Sequence, residues 1–364
     1  MAASVDFELP KHEPAGAPPP DFPLTQEPPA AAPATATAAA VTILPVTNSA
    51  VANSRASDSP VEVLPTPFFP ATQPASHWLQ QRLLDFGLLM RLDRPIGIWL
   101  LLWPTLWALW SASGGHPQPR LLVIFLAGTV LMRSAGCVIN DLYDRNIDPH
   151  VRRTRSRPLA ARRVTPAEAL LLFAALIGLA FLLVLQLNAL CLKLAFIGAA
   201  LTATYPLLKR FFPIPQLYLG LCFAWGVPMA YAAELGQVPR MGWVLMLAAV
   251  VWAGVYDTFY AMADRPDDLR IGIKSSAITF GDLDLMMIGA MQVMVLFALL
   301  FAGRLLALGP PYYWALAVGA ALFVWQQWLA RARDAEGCMR AFHNNNYFGI
   351  VILAGVILEY AARR

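Results

Sequence analysis

Charge is what this chain has least of. Only 14% of its residues are Asp, Glu, Lys or Arg, against about 25% in ordinary soluble domains. Soluble surfaces stay wet through their charges. The deficit, with a hydrophobic share of 58%, argues against a soluble enzyme and for an integral membrane protein. Cysteine is scarce as well. The four present (Cys137, Cys191, Cys222, Cys338) are scattered, with no CxxC spacing. That argues against a zinc module or disulfide framework and leaves them as small packing residues. Bases are nearly missing from the first 75 positions, which hold two of them, seven acids and 15 of the 30 prolines. A segment rich in Pro, Ala, Thr and Ser, such as "AAAPATATAAA", cannot bury enough apolar surface to offset its ordering entropy. Residues 1–75 therefore read as a disordered tail. The tail has neither the basic start and apolar stretch of a secretory signal nor the arginines of a mitochondrial presequence.

What the remainder has is long apolar runs. A spanning helix needs about 20 residues, and such runs lie near 95–113, 120–139, 167–186, 189–206, 215–233, 241–260, 284–303, 311–330 and 345–362. The expectation is an all-α, polytopic membrane domain over 76–364 with nine spans, an odd number that puts the termini on opposite faces. Residues 76–91 are amphipathic and too short to span, which predicts an interfacial helix. Fifteen bases fall in the loops after even-numbered spans, against three in the other loops. The positive-inside rule makes the basic face, and the N-terminus with it, cytoplasmic.

Acids are few after residue 75, and nearly half of those 16 lie in two clusters on that basic face. The first is Asn140, Asp141, Asp144 and Asp148 in "NDLYDRNID". If the helix runs through it, Asn140, Asp144 and Asp148 share a face at i, i+4 and i+8. The second is Asp257, Asp264, Asp267 and Asp268 in "YDTFYAMADRPDD", where Pro266 could kink or start a helix. Oxygen donors without soft ligands suit magnesium, which favours carboxylates, waters and substrate phosphates. Facing acid clusters repel unless cations lie between them. Ionisable groups at membrane depth are costly, so they mark function by default. Acids with bases close behind them are the arrangement needed to hold a diphosphate. The other reading open to such residues is a cation-coupled secondary transporter, although transporter sites lie near the membrane midplane and these acids gather at one face.

These residues resemble the UbiA-type membrane-embedded aromatic prenyltransferases. The likeness runs from about Arg91 to Tyr360. "RLDRPIGIWLLLWPTLWALW" looks like the family's first helix, "NDLYDRNID" like its first aspartate motif and "DRPDD" like its second. "YDTFYAMADRPDDLRIGIKSSAI" and "NNNYFG" look like its 4-hydroxybenzoate branch. The resemblance implies nine helices around a central cavity with a polar cap on the cytoplasmic side, and two Mg2+ ions bridging a polyprenyl diphosphate. It implies one ion on Asn140 and Asp144 and the other on Asp264 and Asp268, with Asp141, Asp148 and Asp267 as further metal candidates. Arg157 and Lys274 match family positions for diphosphate. The implied reaction puts a polyprenyl group on the ring carbon ortho to the hydroxyl of 4-hydroxybenzoate, in ubiquinone biosynthesis; homogentisate or a naphthoate are alternative acceptors. A bacterial inner membrane is the expected location, with the mitochondrial inner membrane as the alternative.

An allyl cation needs a dry cavity and is stabilised by aromatic faces. Tyr205 in "TATYPLLKR", with Tyr256 and Tyr260, are candidates. Asp257 lies seven residues before Asp264 and shares its face; it is the candidate to orient or deprotonate the acceptor phenol. Lys209, Arg210, Arg91 and Arg94 are candidates to hold the acceptor carboxylate. His343 and Asn344 to Asn346 are expected at the start of the last helix, as caps or as cavity residues. The Trp-rich first span reads as helix packing.

Overall fold

The computed structural model describes residues 75–150, 154–208, 212–272 and 274–363. The Pro-rich tail before residue 75, Arg152, Arg153, Lys209 and Arg210 lie outside them. The regular structure of the described residues is helical, with no strand. Each of the nine apolar stretches is helix, and five helices are long and apolar enough to cross a membrane.

Helix α1 (Ala75–Leu89) precedes the first apolar run. It buries Asp85 and Leu89 and exposes Trp78, Leu79, Leu83 and Leu84, the two-faced character the sequence suggested. Arg163 donates to Asp85 (2.6 Å) and Arg82 pairs with Glu168, which fastens α1 to the chain ahead of α4 (Pro166–Val184). Thr165 and Glu168 cap α4 reciprocally, with Pro166 at its first position, satisfying donors that a helix start leaves open.

Helices α2 (Ile96–Ala112) and α3 (Pro119–Asp144) come before α4, and α5 (Ala189–Leu208) follows it. The stretch near 215–233 is two pieces, α6 (Pro215–Ala224) and α7 (Gly226–Leu235). Pro228 explains the break. It has no N–H for the carbonyl four residues back, which is that of Ala224, where α6 ends. Helix α8 (Arg240–Ile271) runs straight through Pro266 and closes on Gly272 at φ 69°, whose N–H donates to the Asp268 carbonyl. The proline near 266 therefore neither starts nor ends a helix. A short α9 (Ser276–Phe280) leads to α10 (Asp284–Leu305), α11 (Pro310–Ala330) and α12 (Ala335–Ala362).

The core is aromatic and centres on α8. Trp252 lies 5.2 Å from Trp107 of α2 and 5.3 Å from Phe348 of α12, and Phe323 of α11 stacks on Phe348 at 4.2 Å. Trp103 and Trp107 are buried, in keeping with a packing role for the Trp-rich helix. Buried polar groups need partners, and here they find one another. Trp252 donates to Asn345 (2.8 Å), Trp103 to Asn346 (2.9 Å), and Gln326 to Asn344 (3.1 Å). The three asparagines are thus neither caps nor cavity walls. Asp334 is the cap, α12 starts ten residues earlier than the apolar run, and they sit in its interior, binding α2, α8 and α11. By contrast α4, α5 and α10 expose large apolar side chains, among them Leu171, Phe196 and Phe297, as expected of faces that meet lipid.

Candidate active site

A cavity of about 2000 Å³ is walled by α2 to α8, the end of α1 and the chain before α2, the loops after α3 and α8, and the first turns of α12. Both acidic clusters open into it. Asn140 and Asp144 come from the last turns of α3, and Asp264 and Asp268 from the last turns of α8. Arg94, Arg157 and Lys274 also line it, with Tyr205, Tyr256 and Asp257 deeper along the helices.

The first cluster is not one continuous helical face. Helix α3 ends at Asp144, and Asp148 starts a separate 3-10 turn. Pro149 is the reason, since its ring would clash with the carbonyl of Arg145, four residues back. Asp148 is brought back to the cavity by Arg157, which donates to it at 2.9 Å and to Asp141 at 3.0 Å. Arg91 donates to both Asp141 oxygens at 2.8 Å. Asp141 is therefore 1% exposed and enclosed by two guanidinium groups. Burial pushes the Asp148 carboxyl above its ordinary range, against the pull of Arg157. Burial disfavours the charge on Arg157, yet Asp141 and Asp148 hold its pKa above the ordinary value. Arg91, an acceptor candidate in the sequence, is committed to Asp141. Arg94 has a side chain 77% exposed, beside Asp93 at 3.5 Å.

The second cluster is built differently. Asp264, Asp267 and Asp268 line the cavity, but Arg265 between them turns away from it. Arg265 pairs with the fully buried Asp284 and donates to the carbonyl of Ala277 (2.9 Å). Arg333 donates to the same Asp284 (2.9 Å) and to the carbonyl of Asp282 (2.9 Å). This hub fixes the chain from 275 to 284 that follows Lys274.

The deeper wall is aromatic. Tyr205 stacks beside Tyr218 (6.5 Å, 10°), Tyr256 meets Trp252 edge-on (5.4 Å) and Tyr260 lies 5.2 Å from Phe342. His343 also lines the cavity. One wall residue escaped the sequence reading. Arg133 sits midway along α3, half-buried, with its guanidinium 5.4 Å from the ring centre of Phe223. The signal is an arginine inside the apolar run "TVLMRSAGC", where one base leaves the stretch apolar enough to read simply as a span.

The metal question turns on the donors. Those facing the cavity at the motifs are oxygens, and among the described residues no three carboxylate, His or Cys side chains gather into a ready-made cage. That set fits magnesium, which takes one or two carboxylates and completes its shell with water and substrate phosphate.

Comparison with known proteins agrees with this geometry. Residues 101–350 match the UbiA prenyltransferase family. The chain belongs to that family. A relative from Nitrosococcus oceani, named 4-hydroxybenzoate octaprenyltransferase, is 54% identical over 282 residues, covering 78% of this chain and 99% of the relative. The structure of a UbiA homologue from Aeropyrum pernix superposes with a TM-score of 0.63 at 26% identity, over 72% of this chain and 97% of that one. A UbiA homologue from Archaeoglobus fulgidus, solved with GPP and Mg2+, shares the fold with a TM-score of 0.59 at 16% identity, over 75% and 99% of the two chains. The two aspartate motifs of this UbiA protein thus face one cavity in a fold shared with solved homologues.

Proposed function

We propose that this UbiA protein transfers a polyprenyl group from a polyprenyl diphosphate to the ring carbon ortho to the hydroxyl of 4-hydroxybenzoate, in a multi-pass inner-membrane setting. The observation that carries the reading is the convergence of Asn140, Asp144, Asp264 and Asp268 on one cavity, with Arg157 and Lys274 at the same end. The relative from Nitrosococcus oceani supports the acceptor. On this reading the nine apolar stretches are nine crossings, with the motif end of the cavity on the basic, cytoplasmic face.

Asn140 with Asp144, and Asp264 with Asp268, would hold two magnesium ions. Bound there, the ions supply positive charge to the diphosphate oxygens, easing departure of the leaving group. Arg157 and Lys274 add fixed positive charge at that end. The allylic C–O bond breaks with its electron pair going to the diphosphate. The aromatic wall of Tyr205, Tyr256 and Tyr260 excludes water from the allyl cation and faces it with ring electrons. The acceptor's ortho carbon then forms the new C–C bond, and the proton of that ring carbon passes to the released diphosphate. Asp257, seven residues below Asp264 and facing the same cavity, orients or deprotonates the phenol.

The test uses membranes containing the protein, 4-hydroxybenzoate, a polyprenyl diphosphate and magnesium. Prenylated product is expected from the wild type and lost on chelation and in Asp144→Ala and Asp264→Ala. A wild type silent with 4-hydroxybenzoate and with other phenolic acceptors would overturn the reading and bring cation transport forward.

A further inference from the structure

Helix α1 takes no part in the chemistry, yet it reaches both arginines that enclose Asp141. One route is short. Arg91 follows the end of α1 in a left-handed turn (φ 58°), with its guanidinium on the Leu88 carbonyl (2.8 Å) and on Asp141. The other route is longer and ends beside Arg157.

The longer route begins at Asp85, in the middle of α1. Its carboxylate is 4% exposed, lies outside the cavity wall and accepts from Arg163 at 2.6 Å. Arg163 donates from its other terminal nitrogen to the carbonyl of Ser156 (3.0 Å), the residue next to Arg157. The backbone of Arg163 is held as well. Its N–H donates to the Pro158 carbonyl (2.8 Å), and its own carbonyl accepts from Arg82 of α1 (2.6 Å). Arg157 belongs to no helix, so ties of this kind set its place. The turn that follows it is closed by the Ala161 N–H on the Arg157 carbonyl (2.8 Å). Within that turn Arg162 takes φ 56°, a left-handed backbone that a non-glycine residue keeps only where its surroundings impose it. Leu89 of α1 is buried in one apolar cluster with Leu159 and Val164 of the same segment. Leu89 and the Arg82–Glu168 pair already dock α1. A buried carboxylate is costly to keep, and what Asp85 adds is a fixed direction for Arg163.

Resting on the transferase reading, we infer that Asp85 is a positioning residue for the prenyl diphosphate. Through Arg163 and the Ser156 carbonyl it fixes where Arg157 presents its guanidinium. Arg157 has to satisfy Asp141 and Asp148 and still meet the diphosphate. A small displacement of its backbone therefore costs it contacts at the cavity, because binding of this kind depends on geometry held in advance.

The experiment titrates the purified protein in detergent with inorganic pyrophosphate at saturating magnesium, and measures the KM for the polyprenyl diphosphate and the unfolding temperature beside it. Asp85→Ala should weaken pyrophosphate binding about 10-fold, the scale of one displaced charged hydrogen bond, and raise the KM for the polyprenyl diphosphate in parallel. The KM for 4-hydroxybenzoate should stay within about 2-fold. Asp85→Leu combined with Arg163→Met strands no charge, so the chain should fold while the weakened binding persists. In an Arg157→Met background, Asp85→Ala should add less than about 2-fold, because the two changes act through one contact. Glu168→Gln loosens the other tie of α1. It should lower the unfolding temperature and leave pyrophosphate binding within about 2-fold. The inference is overturned if the folded double variant binds pyrophosphate like the wild type. It is equally overturned if Asp85→Ala loses a further 10-fold on top of Arg157→Met, or if Glu168→Gln weakens binding as much as Asp85→Ala. A wild type that binds magnesium pyrophosphate but prenylates no acceptor would overturn the transferase reading, while the binding series still decides the role of Asp85.

Discussion

Each acidic motif of this UbiA protein is stiffened by one buried aspartate held between two arginines, but the two hubs are wired oppositely. In the first, the buried acid belongs to the motif: Asp141 sits between Arg91 and Arg157, and both arginines line the cavity. In the second, the motif supplies an arginine instead. Arg265 turns back to Asp284, shared with Arg333, and neither arginine lines the cavity. Both motifs therefore present basic residues near their metal-binding candidates, yet only the first hub's arginines can meet substrate. A base beside an acid motif in sequence is not by that fact a diphosphate ligand.

The comparison breaks most completely if the two halves do not serve one reaction. Asp144→Ala and Asp264→Ala should each lower turnover by about 10³-fold or more, as expected when several kcal/mol of metal assistance is lost. Single-turnover assays in membranes at saturating magnesium check this. A large loss in one variant and normal turnover in the other would mean that a single half carries the chemistry.

The hubs themselves should separate next. Asp284→Asn leaves Arg265 and Arg333 without their shared acid, and Asp141→Asn leaves Arg91 without its acid and Arg157 with Asp148 alone; breaking a buried pair costs about 3–5 kcal/mol. Both should lower the unfolding temperature in detergent. Only Asp141→Asn should be restored by adding magnesium and inorganic pyrophosphate, because its arginines face the cavity and an anion bound there stabilises the folded state by mass action. Equal restoration of both, or of neither, would erase the distinction between the hubs.

The hubs also show how far the sequence could be read. Long apolar runs specify helices through their length and composition, so the existence and order of the α-helices were legible, while α3, α8 and α12 each extend beyond their apolar runs by several polar residues. The motif acids were legible because acids are rare here and cluster on one face. Contacts between distant segments were not. Nothing local in "FGDLD" announces that Asp284 closes on Arg265 and Arg333, 19 positions before it and 49 after. Asp148 shares a face with Asn140 only if the helix continues, and α3 instead ends at Asp144, ahead of Pro149. Asn344 to Asn346 were read as a helix start because the apolar run begins there. The helix extends further through polar residues because Asp334 caps it, and apolar periodicity does not report polar turns. Arg133 was visible but hidden by counting, since a single base in a long apolar run barely changes its hydropathy.

A smaller effect tests the geometry inside the first hub. Arg157 uses one guanidinium nitrogen to reach both Asp141 and Asp148. Arg157→Lys keeps the charge and loses the planar fork, so stability should change little while the KM for the prenyl diphosphate rises about 10-fold. An unchanged KM would reduce Arg157 to a structural brace and make the first hub resemble the second.

The smallest effect is expected at the acid that most resembles Asp141 in sequence and least in structure. Asp267 is also an additional acid within its motif and also lines the cavity. Its side chain is 38% exposed, however, and its ion pair is a loose one, 3.7 Å to an Arg270 side chain that is itself 80% exposed. Exposed pairs of this kind contribute little. Asp267→Asn should therefore leave turnover, magnesium dependence and unfolding temperature close to wild type, with the KM for the prenyl diphosphate within about 2-fold. The same Asp-to-Asn change then has opposite consequences in the two motifs, set by enclosure rather than by position in the motif. If Asp267→Asn instead raised the magnesium requirement, Asp267 would join Asp264 and Asp268 as a metal ligand, and the second motif would hold its ion with three carboxylates where the first uses one and an asparagine.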